Sequence, residues 1–351
     1  GWGLLLLWWF GAFARKRMGR GARPFLVALA FVAPSAIAEE ASKAIDFHRL
    51  RLGPGESDVF GVLGVPTTAW RKFRGSATMG YASDLFALRT AGGGATLFRP
   101  IENHRSLDLS GSYGVTDRSD VSFSLAAVAQ SVNVPPALAG LYPNGLAAQG
   151  LGDARLTLKY RLSELSSPFR LGFAMGVALP TGDSEAYLGT GSFTFQPRLL
   201  AEYLSANGTR WVANLGADFR PDRRLLDLTV GSELVAGLGV SFPLSFLGKQ
   251  TRFLVDAIGA MGLASQTGAS MPFEMRAGAR FRLWSATAIQ IAVGRGLSSG
   301  YGTPAWRGLI GVSFGESTSP ITDGYLRRPT KRAAPAVTPA ATGPVAPNKS
   351  P

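Results

Sequence analysis

A two-residue alternation of apolar and polar side chains, which recurs through the middle of the chain, limits its fold more than any other feature. Between residues 154 and 162, apolar side chains alternate with Arg155, Thr157, Lys159 and Arg161. Residues 211–219 and 273–283 repeat the pattern. Because successive side chains of a β-strand point to opposite faces, each stretch predicts a strand with one apolar and one polar face. No comparable 3.6-residue stripe occurs, so the sequence predicts an all-β fold.

The predicted strands are long and even in number. Most have about ten or more residues, whereas strands of soluble proteins usually have about 5–6. A tilted strand needs about 9–11 residues to cross a bilayer core. The pattern therefore predicts an antiparallel transmembrane β-barrel of about 12 strands. The twelve candidates are residues 75–89, 96–114, 120–132, 152–162, 169–180, 193–204, 210–220, 225–242, 251–263, 273–284, 287–298 and 306–315.

The predicted connections alternate in length. The short ones are residues 115–119, 163–168, 205–208, 244–250 and 285–286, and the longer ones are 133–150, 181–192, 264–272 and 299–305. Short turns on one rim and longer loops on the other are typical of periplasmic turns and extracellular loops. With an even number of strands, this arrangement predicts that both termini lie in the periplasm.

Composition divides the chain into four parts. Residues 1–38 hold five basic residues and no acid, an apolar run at 24–32 and Ala36-Ile37-Ala38, which is typical of a signal peptide whose true start is Met18. Residues 39–70 form a periplasmic N-terminal segment, and whether it enters the barrel or hangs below it stays open. Residues 71–315 form the barrel. Residues 316–351 form a Pro/Ala-rich tail that is predicted to be disordered.

Net charge and cysteine content exclude several classes of protein. The chain has a formal charge of +13 and no Cys, which excludes disulfides, thiolate metal sites, cysteine nucleophiles and cysteine lipid anchors. Basic residues are spread over strand faces and do not form a patch with stacking aromatics, so we expect no nucleic-acid partner. Gly248-Lys249-Gln250 lacks the rest of a phosphate-binding loop, and we expect no cofactor or metal.

Aromatic side chains gather near the ends of the predicted strands. Amphipathic rings favour the membrane interface, where girdles flank the apolar band of a barrel. We therefore expect an interface girdle in contact with outer-membrane lipids, formed by Tyr160, Tyr203, Trp211, Trp284, Trp306 and Phe314.

The polar strand face carries more cations than anions, and the same register directs it into the lumen. A water-filled passage lined in this way would favour anions. The alternative is that the charges form a ladder of salt bridges inside a nearly closed barrel, and a twelve-stranded barrel is compatible with either. The predicted lumen-lining residues are Arg155, Lys159, Arg161, Arg170, Arg198, Glu202, Asp218, Asp256, Glu274, Arg276, Arg280 and Arg282.

An enzymatic alternative comes from one strand. His104 and Ser106 share a face with Asp108, and outer-membrane phospholipases are twelve-stranded barrels that use serine and histidine. This face is directed into the lumen, however, and a lipid-hydrolysing site must reach lipid. We therefore expect no enzyme activity and no catalytic residues.

Several short motifs carry a family resemblance. Gly150-Leu151-Gly152-Asp153, Lys159-Tyr160 and Leu179-Pro180-Thr181-Gly182-Asp183 resemble the outer-membrane family linked to the meta-pathway of phenol degradation. Together with the motifs at residues 80–84, 214–216, 294–297 and 300–304, they also look like the N-terminal barrel of OmpA-family proteins of myxobacteria, over roughly residues 45–315. The acidic repeats and peptidoglycan-binding domain of those longer proteins do not follow here, so a wall-anchoring role is not carried over.

The last predicted strand resembles a barrel-assembly signal. Ile310, Val312 and Phe314 alternate and end on an aromatic residue, although Leu309 stands where a glycine is usual. The resemblance implies recognition by the outer-membrane assembly machinery. The resulting hypothesis is a monomeric, integral outer-membrane channel for small solutes. Its alternative is a closed structural or surface-interaction barrel that presents residues 133–150 outside.

Overall fold

A computed structural model describes residues 44–89, 96–131, 148–225, 228–244, 251–264, 267–284 and 286–315. The strands are β1 (Phe73–Arg89), β2 (Thr96–Thr116), β3 (Ser119–Ser131), β4 (Ala148–Leu151), β5 (Arg155–Arg161), β6 (Phe169–Ala178), β7 (Thr194–Leu204), β8 (Arg210–Asp218), β9 (Arg223–Leu225), β10 (Leu228–Val230), β11 (Glu233–Pro243), β12 (Thr251–Gly262), β13 (Phe273–Trp284), β14 (Thr287–Gly296) and β15 (Trp306–Phe314). A single 3-10 turn occupies Gly268–Ser270 within these ranges. No helix among the described residues is long and apolar enough to cross a bilayer.

Twelve of these strands close into a barrel. The order around the wall is β1, β2, β3, β5, β6, β7, β8, β11, β12, β13, β14 and β15, and every neighbouring pair is antiparallel. Pairing of β15 with β1, in which Phe314 lies opposite Gly75, closes the ring. Closure leaves no exposed sheet edge, which is the condition for a sheet in lipid. The predicted twelve-stranded antiparallel barrel is confirmed.

Two of the predicted strands have different limits. The strand expected at 152–162 begins only at Arg155. It is preceded by β4, which lies mostly in the predicted connection 133–150; β4 and β5 both pair with β3, and residues 152–154 interrupt the pairing between them. The strand expected at 225–242 begins only at Glu233, because β9 and β10 pair with each other as a separate hairpin. The side-chain hydroxyl of Ser232 hydrogen-bonds both the backbone N–H and the carbonyl of Arg220, which closes the base of that hairpin.

The two rims of the barrel differ in their connections. One rim, the turn end, carries short connections such as Asp117–Arg118 between β2 and β3 and residues 205–209 between β7 and β8. The opposite rim, the loop end, carries residues 179–193, 219–232 and 297–305. The predicted signal peptide and tail lie outside the described residues, as do most of the predicted connections 133–150 and 244–250.

The outer surface of the wall is apolar. Alternate side chains along the strands are strongly exposed although they are hydrophobic, for example Leu199, Leu238 and Val293, each about two-thirds exposed. A soluble protein rarely exposes a continuous apolar belt, whereas a membrane barrel requires one. The apolar face that the alternation predicted is therefore the outer face, and the polar face is the inner one.

Candidate functional site: the barrel lumen and its inner segment

The lumen is occupied by the chain that precedes β1. Residues 44–69, here called the inner segment, begin at the loop end, where Phe47 packs edge-on to the Tyr301 ring. They end at the turn end, where the Thr68 backbone N–H donates to Asp120 at 2.6 Å. The sequence alone does not decide whether residues 39–70 enter the barrel. In the structure, the inner segment lies inside it.

Between its two ends the inner segment doubles back. It first reaches the turn-end half, where Glu56 pairs with Arg282. Val59 and Val62 then exchange two backbone hydrogen bonds of 2.9 Å in a tight turn. Phe60, inside this turn, has a positive φ of 45°. After the turn, the Leu63 N–H donates to the Asn214 side chain, whose amide donates back to the Leu63 carbonyl. The segment is thus bonded to the wall at several depths.

Apolar packing holds the middle of the segment against one side of the wall. Val59 and Val62 are fully buried and belong to a cluster with wall residues of β8, β12, β14 and β15. Two inward glycines of β11 make room for them. A Cβ at Gly239 would lie 2.9 Å from a Val59 carbon, and one at Gly237 would lie 3.1 Å from a Val62 methyl. These positions accept the segment only because they lack a side chain.

A second apolar cluster fills the loop end of the lumen. Phe47 and Ile45 of the segment pack there with Tyr187 of the 179–193 connection, with the β9–β10 hairpin and with Leu85 of β1. Phe47 and Tyr187 rings lie 5.6 Å apart. This cluster closes the loop end around the start of the described segment.

Tyr301 joins the closed loop end to charged groups. Its hydroxyl donates to Glu233 at 2.9 Å, and both Arg49 and Arg220 donate to it. The Arg49 guanidinium lies 4.5 Å above the ring centre. Burial raises the pKa of Tyr301 to about 12, against the lowering influence of the two arginines. The hydroxyl therefore keeps its proton at neutral pH and remains a donor.

All twelve predicted lumen-lining residues point inward, and most of them are paired. Within the wall, Arg170 pairs with Glu202 at 2.8 Å and Arg276 with Asp256 at 2.7 Å; Arg198 pairs with Asp218, and Glu274 with Arg307. Towards the inner segment, Arg155 pairs with Asp46 at 3.2 Å, Arg282 with Glu56, and Lys159 and Arg280 bond backbone carbonyls of the segment. Arg161 bonds carbonyls of two turns at the turn end.

This pairing explains why the segment fits the lumen. A buried guanidinium is costly unless it is paired and hydrogen-bonded. The wall itself has too few acids for its arginines, and the segment contributes Asp46, Glu56 and several carbonyls. The sequence shows an excess of inward cations over inward acids but does not identify the partners of these cations. That excess indicates that acidic residues from another part of the chain enter the lumen.

The family motifs have a structural role at the interrupted strand. Asp153, between β4 and β5, accepts hydrogen bonds from the Gly182 N–H at 3.0 Å and from the Thr190 N–H and hydroxyl at 2.8 Å. The Ala154 N–H donates to the Thr181 hydroxyl at 2.8 Å. The 179–193 connection is thereby tied inward against the gap, where Leu188 packs on β3.

The two histidines of the chain meet inside the barrel. His48 of the segment and His104 of β2 place Nδ1 and Nε2 2.9 Å apart, and both side chains are almost fully buried. His48 Nε2 lies 2.8 Å from Asp108, which also accepts from the Ser106 hydroxyl at 2.7 Å. Ser106 thus bonds Asp108 and not His104, unlike a nucleophile and its base. The alternation along β2 predicts His104, Ser106 and Asp108 on one inward face. It gives no indication that His48 joins them.

A cavity of about 200 Å³ remains between the segment and the other side of the wall. In register across β3, β5, β6 and β7, Ser122, Thr157, Gly176 and Gln196 form an uncharged row on its wall. Arg155 and Lys159 lie above and below this row on β5. Its lining includes eight basic and six acidic residues and reaches both halves of the barrel. Among the described residues, no group of three His, Asp or Glu could hold a metal ion.

The predicted girdle residues lie on the outer surface. Trp211, Trp284, Tyr203 and Phe314 are about half exposed or more near the turn end, and Trp306 is exposed at the loop end. Tyr160 stacks on Phe173 at 5.5 Å near the turn end. The wall also carries Tyr81 beside Trp306, with ring centres 4.9 Å apart.

Comparison with known proteins agrees with this geometry. A family model described as "Putative MetA-pathway of phenol degradation" matches residues 89–246, a little under half of the chain. The COG4313 outer membrane channel from Pseudomonas putida F1 is similar over 76% of this chain and 100% of that chain, at 16% identity and a TM-score of 0.55. The NanC porin is 10% identical over 68% of this chain and 98% of its own, with a TM-score of 0.47. No curated protein sequence matches. At this identity, the Pseudomonas channel shows a shared barrel fold.

Proposed function

We propose that the protein is an outer-membrane channel for passive passage of small solutes, with a preference for anions. The observation that carries the proposal is the cavity in the lumen, whose wall includes charged and hydroxyl side chains and has more basic than acidic residues. Close charged walls select permeants of opposite sign. The shared fold with the Pseudomonas outer membrane channel supports the same conclusion.

The proposal includes the setting of the barrel. The protein is integral to the outer membrane and monomeric, and the aromatic residues lie at the two lipid interfaces. Its turn end and the exit of β15 face the periplasm, so that the assembly machinery recognises the last strand.

We assign the chain to the phenol-degradation family on the match to residues 89–246 and the motifs around Asp153. Residues 1–38 are its export signal, and it has no enzyme activity.

We assign the described conformation to the closed state of this channel. The loop-end cluster around Phe47 and the bonds of Thr68 to Asp120 and Ser112 at the turn end hold the inner segment at both ends of the lumen. Opening therefore requires displacement of the inner segment, and the cavity wall becomes the path of the solute.

The alternative is a permanently closed barrel with a structural or surface-interaction role. One observation favours it: the segment is bonded to the wall from Asp46 to Thr68, as a brace would be. Loosening of the segment distinguishes the two functions, because it would open a channel and would only destabilise a braced barrel.

Planar-bilayer recordings of refolded protein in potassium chloride decide between them. A channel gives discrete opening events. In a salt gradient, its reversal potential should be shifted from zero towards the equilibrium potential of chloride. An absence of current across voltages, both in the wild type and in a variant with a loosened segment, would reject the channel and leave the closed barrel. Heat-modifiable migration on gels verifies that each sample is a folded barrel.

A further inference from the structure

One part of the wall combines hydroxyl and amide groups in an uncharged row. The row of Ser122, Thr157, Gly176 and Gln196 faces the cavity across four strands. The Ser122 hydroxyl donates to the Thr157 carbonyl at 3.4 Å and the Gln196 amide to Asp218 at 3.2 Å, whereas the Thr157 hydroxyl bonds no other residue in the described part of the chain. Gly176 keeps the row shallow, because a Cβ there would already lie 3.4 Å from the Thr157 hydroxyl.

Two cations flank this row. Arg155 is about nine-tenths buried, and its Nε is a donor without a partner among the described residues. Lys159 has a 3.3 Å bond to the Gly64 carbonyl and lies 4.0 Å from Asp58, which leaves ammonium protons free. Four residues of extended strand separate the two cations, roughly 13 Å. Hydroxyl and amide groups of the row line the space between them.

We propose that this face, the hydroxyl row of β3–β7 with Arg155 and Lys159, binds a small hydroxylated carboxylate. The carboxylate pairs with Arg155 or Lys159, and the hydroxyls of the solute bond Ser122, Thr157 and Gln196. The cavity, of about 200 Å³, limits the solute to a small one. The inference rests on the proposed channel function and names the solute class for which its wall is suited.

Single-channel recordings of the wild-type protein in potassium chloride test this site with three probes. Sodium gluconate carries both hydroxyls and a carboxylate, sodium hexanoate lacks the hydroxyls, and sorbitol lacks the charge. We expect gluconate to reduce the current at concentrations at least tenfold below those of the other two. T157V and R155Q should each weaken this block fivefold or more. Matched controls at the turn and hairpin, T209V and R224Q, should leave the block unchanged.

The outcomes separate this site from the channel itself. Equal block by hexanoate and gluconate, or unaltered block in T157V and R155Q, would overturn the site while channel function stands. If the wild type carries no current, calorimetric titration of gluconate into the purified protein decides. Heat that is lost in T157V supports the site, and no heat overturns it.

A second inference comes from the contact between the two histidines. His48 lies on the movable segment and His104 on the wall, 56 residues apart in sequence, with 2.9 Å between their nitrogens. Asp108 fixes His48 Nε2 as a donor, so His48 Nδ1 is the acceptor and His104 Nε2 the donor when both rings are neutral. His104 Nδ1 is then a buried acceptor, and it has no partner among the described residues.

This arrangement tolerates one added proton but not two. If His48 takes a proton on Nδ1, that nitrogen becomes the donor and His104 switches tautomer to accept. If both rings are protonated, two N–H groups and two positive charges face each other at hydrogen-bond distance. The charged groups around the pair are Asp46, Arg49 and Arg51 on the segment, Asp108 on β2, Arg155 on β5, and Arg307 on β15 with its partner Glu274 on β13.

We infer that the His48–His104 pair is a latch that releases the inner segment on acidification. Protonation of both rings breaks the contact between the segment and β2. The open probability of the channel then rises as pH falls from 7.5 to 5.

Labelling of the segment measures the release without needing current. The chain has no native cysteine, so a single V62C substitution reports the exposure of the segment to a water-soluble maleimide. Each rate is divided by that of the single-cysteine protein R224C, whose thiol is exposed, at the same pH, because maleimide reacts with the thiolate and the thiolate fraction falls as the pH falls. We expect this corrected labelling to be at least tenfold faster at pH 5 than at pH 7.5. Adding H104Q should remove the pH dependence, because glutamine still accepts from a singly protonated His48.

A matched control loosens the segment without a titrating group. N214L removes two hydrogen bonds to Leu63 and should accelerate labelling at both pH values with the same ratio between them. Equal corrected labelling of the V62C protein at the two pH values would overturn the latch. A full pH response that persists in H104Q would overturn it as well.

Discussion

The two sides of the lumen differ in what they offer the inner segment. Between their paired charges, strands β8 to β15 present glycines and aliphatic side chains, against which Val59 and Val62 are fully buried. Strands β3 to β7 also contact the segment, through Arg155 and Lys159 and where Val65 packs on β6 and β7, but their uncharged row of hydroxyl and amide groups faces the cavity. We therefore assign the holding of the segment mainly to β8 to β15 and the path to the cavity beside β3 to β7. A barrel of twelve strands can in this way contain a segment and still retain a cavity along its wall.

The largest effect is expected from G239V, on the holding side of the wall, by which we mean strands β8 to β15. Its Cβ would lie 2.9 Å from Val59, and overpacking of this kind costs about 1–3 kcal/mol. Because the segment can leave and the wall cannot, we expect the open probability in bilayers to rise tenfold or more. G308V is the control, since its nearest neighbour, Trp306, is 3.6 Å away on the outer surface. Equal open probabilities for G239V and wild type would contradict the assignment of a holding side.

A smaller effect is expected from the ionic anchor at the turn end. E56Q removes the carboxylate that pairs with Arg282 and leaves the backbone carbonyl of residue 56, which accepts from Arg210 and Arg280. The pair is partly exposed, so its loss costs about 1 kcal/mol. The open probability should rise about fivefold. An equal rise in E164Q, which alters an exposed pair with Arg118, would show that the effect is not specific to the segment.

Beside the cavity, charge reversal should change selectivity. K159E replaces a cavity-lining cation with a carboxylate. We expect the reversal potential in a salt gradient to move towards the potassium side, and the open probability to rise as well, because the new carboxylate faces Asp58 and the Gly64 carbonyl of the segment. R224E on the exposed hairpin is the matched control. An unchanged reversal potential in K159E would place the path elsewhere.

At the loop end, the expected effect is on the free energy of unfolding and not on opening. Y301F removes a hydroxyl that bonds Arg49, Arg220 and Glu233, at a cost of about 1–2 kcal/mol in unfolding free energy. The raised pKa of Tyr301 also predicts the direction in which stability changes with pH. Between pH 10 and about 12 the unfolded tyrosine loses its proton and the folded one keeps it, so wild-type stability falls with rising pH. Denaturant titration at pH 8 and 11 should show this fall to be smaller in Y301F.

The wall could be predicted from sequence because its signal is local. A period of two fixes which side chains of a strand face lipid, so the inward direction of Arg155, Lys159 and Arg276 is set by their neighbours in sequence. The interruption at residues 152–154 could not be predicted in this way. It depends on hydrogen bonds from Asp153 to a connection about 30 residues further along the chain.

The filled lumen could not be predicted for a similar reason. Residues 44–69 carry no periodic pattern, since they form no regular element within the barrel and their contacts are with residues as far away as Arg282 and Asn214. Gly237 and Gly239 were consistent with close strand packing, whereas their inner face is in contact with Val59 and Val62. The meeting of His48 and His104 depends on the same long-range placement.

The central claim, that passage requires movement of the inner segment, can be tested most directly with a reversible crosslink. A V62C/G237C pair joins the segment to β11, where the ideal Cβ of residue 237 lies 3.1 Å from a Val62 methyl carbon, and the chain has no other cysteine to interfere. Single-channel recordings should show almost no openings in the oxidised protein and recovered openings after reduction in the same bilayer. Equal conductance before and after reduction would contradict the account, because solutes would then pass a segment that cannot move.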